Sequence, residues 1–168
     1  MSEIVQMPAL RVEGLAPHLS WAEILRGSGY ASVSDLPEDV ALNIERVAAA
    51  FEVVRVEFGD PLRVVSGVRS PETNRRCGGA KTSRHMTGEA LDLCPKDKGR
   101  LPELYDIIDD FQATGRIVKG GLCVYRRGTY SAPSAFRFVH MDVRGRRARW
   151  SKLVDGRWTS ARKDKLDA

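Results

Sequence analysis

The stretch Ser83-Arg84-His85-Met86-Thr87-Gly88-Glu89-Ala90-Leu91-Asp92 sets a histidine and a carboxylate where one metal ion could reach both. A second histidine stands downstream, in Phe138-Val139-His140-Met141-Asp142. Two imidazoles and one carboxylate suit a zinc ion that keeps its fourth position for water, and an open position of that kind points to hydrolysis rather than to a structural metal. From residue types alone another reading stands beside this one. A histidine beside an apolar strand is commonly a hydrogen-bonded structural residue, and an aspartate near a glycine is commonly a turn former.

The elements around these residues decide whether they can meet. A strand over Glu89 to Cys94 points Ala90, Asp92 and Cys94 one way and Leu91 and Leu93 the other. Likewise His140 and Asp142 share one face of their strand, while Val139, Met141 and Val143 share the opposite face. Gly88 fits a close backbone turn between His85 and the first strand. Further upstream, Ser20-Trp21-Ala22-Glu23 has the form of a capping box, so a short helix should start there and end at Gly27 to Gly29. A long amphipathic helix is expected from Pro37 to about Phe58, with Val40, Ile44, Val47, Phe51, Val54 and Val56 at mostly helical spacing. Gly59-Asp60-Pro61 breaks it before a buried strand over Leu62 to Ser66. One helical turn is expected around Glu72 to Arg76, and a second amphipathic helix over Leu101 to Ala113, stopped by Gly115. Leu122 to Tyr125, Phe136 to Val143 and Arg147 to Trp150 read as strands, with Asp155-Gly156 as a hairpin turn. The class is α+β, one domain over 1–168, with helices flanking a mostly antiparallel sheet.

Composition narrows the partners. The chain has 168 residues, enough for one domain with a proper core. No stretch approaches the roughly 20 apolar residues of a membrane span, and Met1 to Leu10 lacks the pattern of a secretory signal, so synthesis in a cytoplasm is expected. Cys77, Cys94 and Cys123 are odd in number and lack Cys-x-x-Cys spacing, and are read as small apolar fillers. His18 reads as a surface or cap residue. Of the net charge of +5, all the excess lies from Arg144 onward, where nine Lys/Arg face three Asp/Glu. A basic segment over 144–168 favours polyanions such as acidic wall polymers, or simply keeps the end solvated. No motif indicates dedicated nucleic-acid binding.

Ser83-x-His85-x-x-Gly88-x-Ala90-x-Asp92 resembles the signature of the zinc peptidases that include D-Ala-D-Ala carboxypeptidases, D-Ala-D-Ala dipeptidases and phage L-Ala-D-Glu endolysins. The hedgehog signalling domain shares their fold. Ser66-Gly67-Val68-Arg69-Ser70-Pro71 is similar to a motif of their carboxypeptidase-like branch, and Phe138-Val139-His140-Met141-Asp142-Val143-Arg144, with Arg149-Trp150, resembles its final motif. The motif core spans 66–150. The resemblance implies a hedgehog/DD-peptidase-like fold and zinc bound by His85, Asp92 and His140. It implies an Arg69 that contacts the substrate carbonyl or developing oxyanion, and a Ser83 that orders the loop or binds substrate. The implied substrate is a peptidoglycan stem peptide or cross-link, cut by a carboxypeptidase or endopeptidase. The implied setting is a phage or prophage lysis enzyme, or a virion enzyme, acting at the wall after release.

One position departs from the pattern. Several members carry Glu or Asp three residues before the last histidine as general base, whereas this chain has Arg137 there and no carboxylate between Asp110 and Asp142. A guanidinium does not accept a proton at neutral pH. Asp142 is the nearest replacement, or else it orients His140 or pairs with Arg144. Glu89 should point away from Asp92 by alternation. For Arg69, the alternative to a substrate contact is a surface ion pair with Glu72. The alternative to an enzyme is a non-catalytic, zinc-stabilised module that binds cell wall or protein.

Overall fold

Alternation and helical periodicity translate into two layers. The computed structural model describes residues 14–126, 136–153 and 158–159, with backbone alone at 126, 136, 151–153 and 158–159. Among the described residues there are four α-helices: α1 (Trp21–Leu25), α2 (Glu38–Phe58), α3 (Pro71–Arg76) and α4 (Leu101–Thr114). The strands are β1 (Leu62–Ser66), β2 (Ala90–Pro95), β3 (Gly121–Arg126), β4 (Phe136–Asp142), β5 (Ala148–Leu153) and β6 (Trp158–Thr159). They form one sheet in the order β1-β2-β4-β3-β5-β6. Every neighbouring pair is antiparallel except β3 and β5, which run parallel. The α+β class with a mostly antiparallel sheet is thus the observed one. Asp155 and Gly156, expected as a hairpin turn, lie outside the described residues, though β5 and β6 on either side pair antiparallel.

The helices form where their caps and stripes allow. Ser20 and Glu23 make the reciprocal capping box that starts α1. In α2 the acidic Glu38 and Asp39 occupy the positive end of the helix dipole, and Gly59, at φ 79°, closes the other end by donating to Arg55. Val40, Ile44, Val47, Phe51 and Val54 of α2 are buried, but Val56 is 65% exposed. Its position steps past the edge of the apolar stripe, so it does not belong to the core as the spacing suggested. Helices α2 and α4 cover the back of the sheet, where Leu91, Leu93, Leu122, Val124, Val139 and Met141 complete one core cluster. Burying each such side chain stabilises by about 1.5–3 kcal/mol, so the register that puts them at the back is strongly held. A one-residue slip would turn all of them to the front. No helix among the described residues is long and apolar enough to cross a membrane.

The front of the sheet is where that register matters for chemistry. Ser66 pairs with Asp92, Asp92 with His140, His140 with Cys123, and Cys123 with Trp150, which makes a single lateral row across β1, β2, β4, β3 and β5. Ser66 joins this row through an irregularity: Val64 pairs with Leu93 but Ser66 with Asp92, so Val65 is an extra residue. A bulge of this kind re-aims the side chains beyond it. A second irregularity, between Tyr125 and Arg126 of β3, leaves Arg137 of β4 as the extra residue.

Candidate metal centre

Asp92 and His140 are brought side by side by the pairing of β2 with β4. His85 arrives from the turn before β2, and its position is set by main-chain bonds. Its carbonyl accepts from Arg69 N at 3.0 Å, and Glu89 N donates to Arg84 O at 3.0 Å. Gly88 makes the turn possible twice over. Its φ is +73°, and a β-carbon there would stand 2.5 Å from the carbonyl oxygen of Val40 in α2. The three side chains converge: His85 Nε2 lies 3.2 Å from Asp92 Oδ1, His140 Nδ1 lies 2.9 Å from the same oxygen, and the two ring nitrogens are 3.2 Å apart. All three residues are buried.

The outer nitrogens settle which ring atoms face inward. His85 Nδ1 is 2.6 Å from the carbonyl oxygen of Gly67, and a carbonyl only accepts, so Nδ1 carries hydrogen and Nε2 is free to ligate. His140 Nε2 is 3.2 Å from Asp142 Oδ2, so its Nδ1 is the ligating atom. Two inward nitrogens and a carboxylate oxygen thus form a triangle with edges near 3 Å. A tetrahedral ion with bonds of about 2.0–2.1 Å separates its donors by roughly 3.3 Å. The donor set and its spacing fit a zinc-like divalent cation, and a hydrogen-bonded outer nitrogen on each histidine is the usual support for one.

Charge is distributed accordingly. Burial favours the neutral form of Asp92, but the charge of His85 and hydrogen bonds from His140 and His85 outweigh it and hold its carboxyl well below the ordinary range. Burial also works against a charged His140, yet Asp142 and Asp92 on either side push its pKa up to about 9. A cation at Nδ1 therefore displaces a proton. Asp142 is fully buried. Against burial, its bonds from His140, Arg144 and the Gly121 backbone keep it ionised.

Both roles left open for Asp142 can now be compared with its contacts. Oδ1 accepts from Gly121 N at 2.7 Å and Arg144 Nε at 2.8 Å, and Oδ2 accepts from His140 Nε2 and from Arg144 Nη2 at 2.5 Å. The carboxylate is saturated and lies on the far side of the His140 ring from the triangle. It touches His140 and pairs with Arg144, which are the contacts that the orienting role requires. Behind it, Gln112 Nε2 donates to Asp142 O at 3.4 Å, and Gln112 Oε1 accepts from Arg149 Nη2 at 2.7 Å. Arg149 Nε and Arg147 Nη2 both donate to Asp109 Oδ1 at 2.7 Å.

A cavity of about 490 Å³ opens onto the triangle. Arg69, Ser83 and Arg84 line it together with the 77–80 loop, and Tyr125, Phe138 and Trp150 line it as well. Arg69 does not pair with Glu72. Its Nη2 donates to Asp92 Oδ2 at 3.0 Å and its Nε to Ser66 Oγ at 2.8 Å, leaving the rest of its donor fork uncommitted to these partners. Ser83 lies on the wall and its Oγ accepts from His85 N at 3.4 Å. Glu89 is turned to Arg84 and Thr87, as alternation required. Cys77 is exposed on the cavity wall, against its reading as an apolar filler, because it caps the short α3 rather than a core element. Cys94 and Cys123 are buried. His18 is exposed, with Nδ1 at 2.6 Å from Glu52.

Arg137 is not among the residues lining the cavity, and Asp92 is the one carboxylate that is, among the described residues. Sequence reasoning missed the aromatic wall and the Asp109–Arg149–Gln112 support. The signal for both lay in strand pairing, since Tyr125 and Trp150 join the site only once β3 is set beside β4 and β5.

A family model described as Peptidase M15 matches residues 17–122, more than half of the chain, and covers Arg69, Ser83, His85 and Asp92. No curated protein sequence matches the chain.

Proposed function

The chain belongs to the Peptidase M15 family, and from that premise we propose that it is a zinc-dependent peptidase that hydrolyses D-amino-acid-containing amide bonds in peptidoglycan stem peptides or cross-links. The observation that carries the proposal is the buried His85–Asp92–His140 triangle at an arginine-lined cavity. His85 Nε2, Asp92 Oδ1 and His140 Nδ1 would hold the ion. When bound, zinc supplies a Lewis acid and a water of lowered pKa.

The remaining work falls to the protein. Asp142 and Gly67 hold the two rings in their ligating tautomers. Arg69 is anchored to Asp92 and Ser66, so its charge is already in place beside the centre when a substrate carbonyl arrives. Arg69 and Arg84 suit a substrate rich in free carboxylates. The basic segment 144–168 would hold an anionic wall polymer, and a phage or prophage enzyme released to the wall fits this set of properties.

One observation favours a second reading. With Arg137 off the cavity and Asp92 as its one carboxylate among the described residues, a non-catalytic, zinc-stabilised wall- or protein-binding module would retain everything seen at the centre. One experiment separates the two: mass spectrometry of fragments from defined muropeptides, with and without a chelator. The peptidase reading expects new amino termini that a chelator abolishes, and a His85→Ala variant that lacks both zinc and turnover. Zinc-loaded wild type that binds wall material but releases nothing, across several wall chemistries, leaves the binding module as the function. The same fragments would distinguish a carboxypeptidase from an endopeptidase.

A further inference from the structure

The cavity presents the triangle with charged groups from the loops and aromatic groups from the sheet. Tyr125 belongs to the aromatic group. It lies two residues along β3 from Cys123, the residue opposite His140, so it shares the metal side of the sheet. Its ring stacks on Phe138, with centroids 4.3 Å apart and planes at 23°, which fixes the direction of its C–O bond. Its phenol lies within electrostatic range of both Asp92 and Arg69, and it lines the cavity together with His85 and His140.

A hydroxyl both donates and accepts. The Tyr125 phenol also carries one proton to donate. Among the described residues, no acceptor takes that proton. Burial, reinforced by the charges of Cys123 and Asp92, raises the pKa of Tyr125 well above its ordinary value, so the group stays a neutral donor. Ser83, the other hydroxyl near His85, already accepts from His85 N.

We propose that Tyr125 is a further catalytic residue, whose hydroxyl donates a hydrogen bond to the carbonyl oxygen of the bound peptide while Arg69 supplies charge to the same oxygen. This rests on the peptidase reading above. No proton is transferred; the O–H stays on Tyr125 and its bond strengthens as negative charge builds on the carbonyl oxygen. The scaffold is pre-formed, since stacking on Phe138 holds the ring before substrate enters.

The test is Tyr125→Phe, which removes only the O–H and keeps the stacking. The expected result is a kcat lower by roughly a hundredfold with KM little changed, at a zinc content equal to wild type. In parallel, a phosphinate dipeptide analogue, whose tetrahedral oxygens stand in for the developing oxyanion, should bind the zinc-loaded variant at least about tenfold more weakly than wild type. Unchanged kcat/KM overturns the proposal, as does unchanged phosphinate affinity. A kcat loss matched by an equal loss of zinc also overturns it, because Tyr125 would then be supporting the centre rather than touching substrate. If wild type cleaves no wall peptide, the peptidase reading fails and the phosphinate titration alone decides Tyr125. Absence of phosphinate binding by wild type overturns both.

Discussion

His85 and His140 reach the same point by different means. His140 stands in mid-strand between two ladders, and its outer nitrogen meets a carboxylate that is itself held by Gly121 N and Arg144. His85 has no ladder. It is placed by a turn, and its outer nitrogen meets a main-chain carbonyl, that of Gly67. Both flanking glycines press on helices: a β-carbon on Gly67 would stand 2.6 Å from Ile24 O, and one on Gly88 would stand 2.5 Å from Val40 O. One half of the centre is therefore secured by charge, the other by close backbone packing. The difference teaches that the two halves should fail differently, the strand half through metal affinity and the loop half through folding.

The largest effect should come from Gly88→Ala. Left-handed backbone costs a non-glycine residue roughly 1–2 kcal/mol, and the collision with α2 adds about 1–3 kcal/mol. Denaturant titration should show a loss of about 3 kcal/mol or more. A variant that unfolds at the wild-type midpoint would break the claim that steric packing places His85.

Next is Asp142→Asn. Loss of the carboxylate behind a metal-binding histidine typically weakens metal binding about 10–100-fold, and chelator competition should read a change of that size. In the metal-free protein, NMR titration should show the His140 pKa falling from about 9 toward its ordinary value. Unaltered affinity would mean that the strand half does not depend on charge.

The smallest effect concerns the support further back. Asp109 is held below the ordinary carboxylate range, because bonds and charge from Arg147 and Arg149 overcome the effect of burial. A folded-state pKa that is depressed contributes stability above the unfolded-state value, and the contribution is lost as pH falls through the folded value. Urea unfolding should show wild type losing stability on acidification, with Asp109→Asn about 1–2 kcal/mol less stable near neutrality and flatter in acid. Equal acid slopes would remove Asp109 from the account and leave the centre's own carboxylates to explain the pH response.

Much of this was legible in the chain. The capping box at Ser20, the α2 stripe, the glycine after it and the alternation around Asp92 and His140 are local properties, and local physics fixes them. Val56 was misjudged for the same reason: periodicity says that a face exists but not where its edge lies. Cysteine number and spacing likewise say nothing of what packs around Cys77. Asp142 kept two roles open because alternation shows only which side it shares with His140. Saturation by Gly121 N and Arg144 depends on β3 and the turn after β4.

The sequence by itself determined the chemistry available, namely two imidazoles and an aspartate in order, an arginine upstream, and Arg137 in the place of a carboxylate. It also determined which face of each strand carries that chemistry, since a period of two is a property of the backbone. Only the tertiary structure decided register and approach. The row from Ser66 to Trp150 exists because five strands align across a bulge. His85 meets that row because two glycines let loop backbone lie against α1 and α2. Non-local hydrogen bonds and steric contact set both, and neither leaves a periodic trace in the chain.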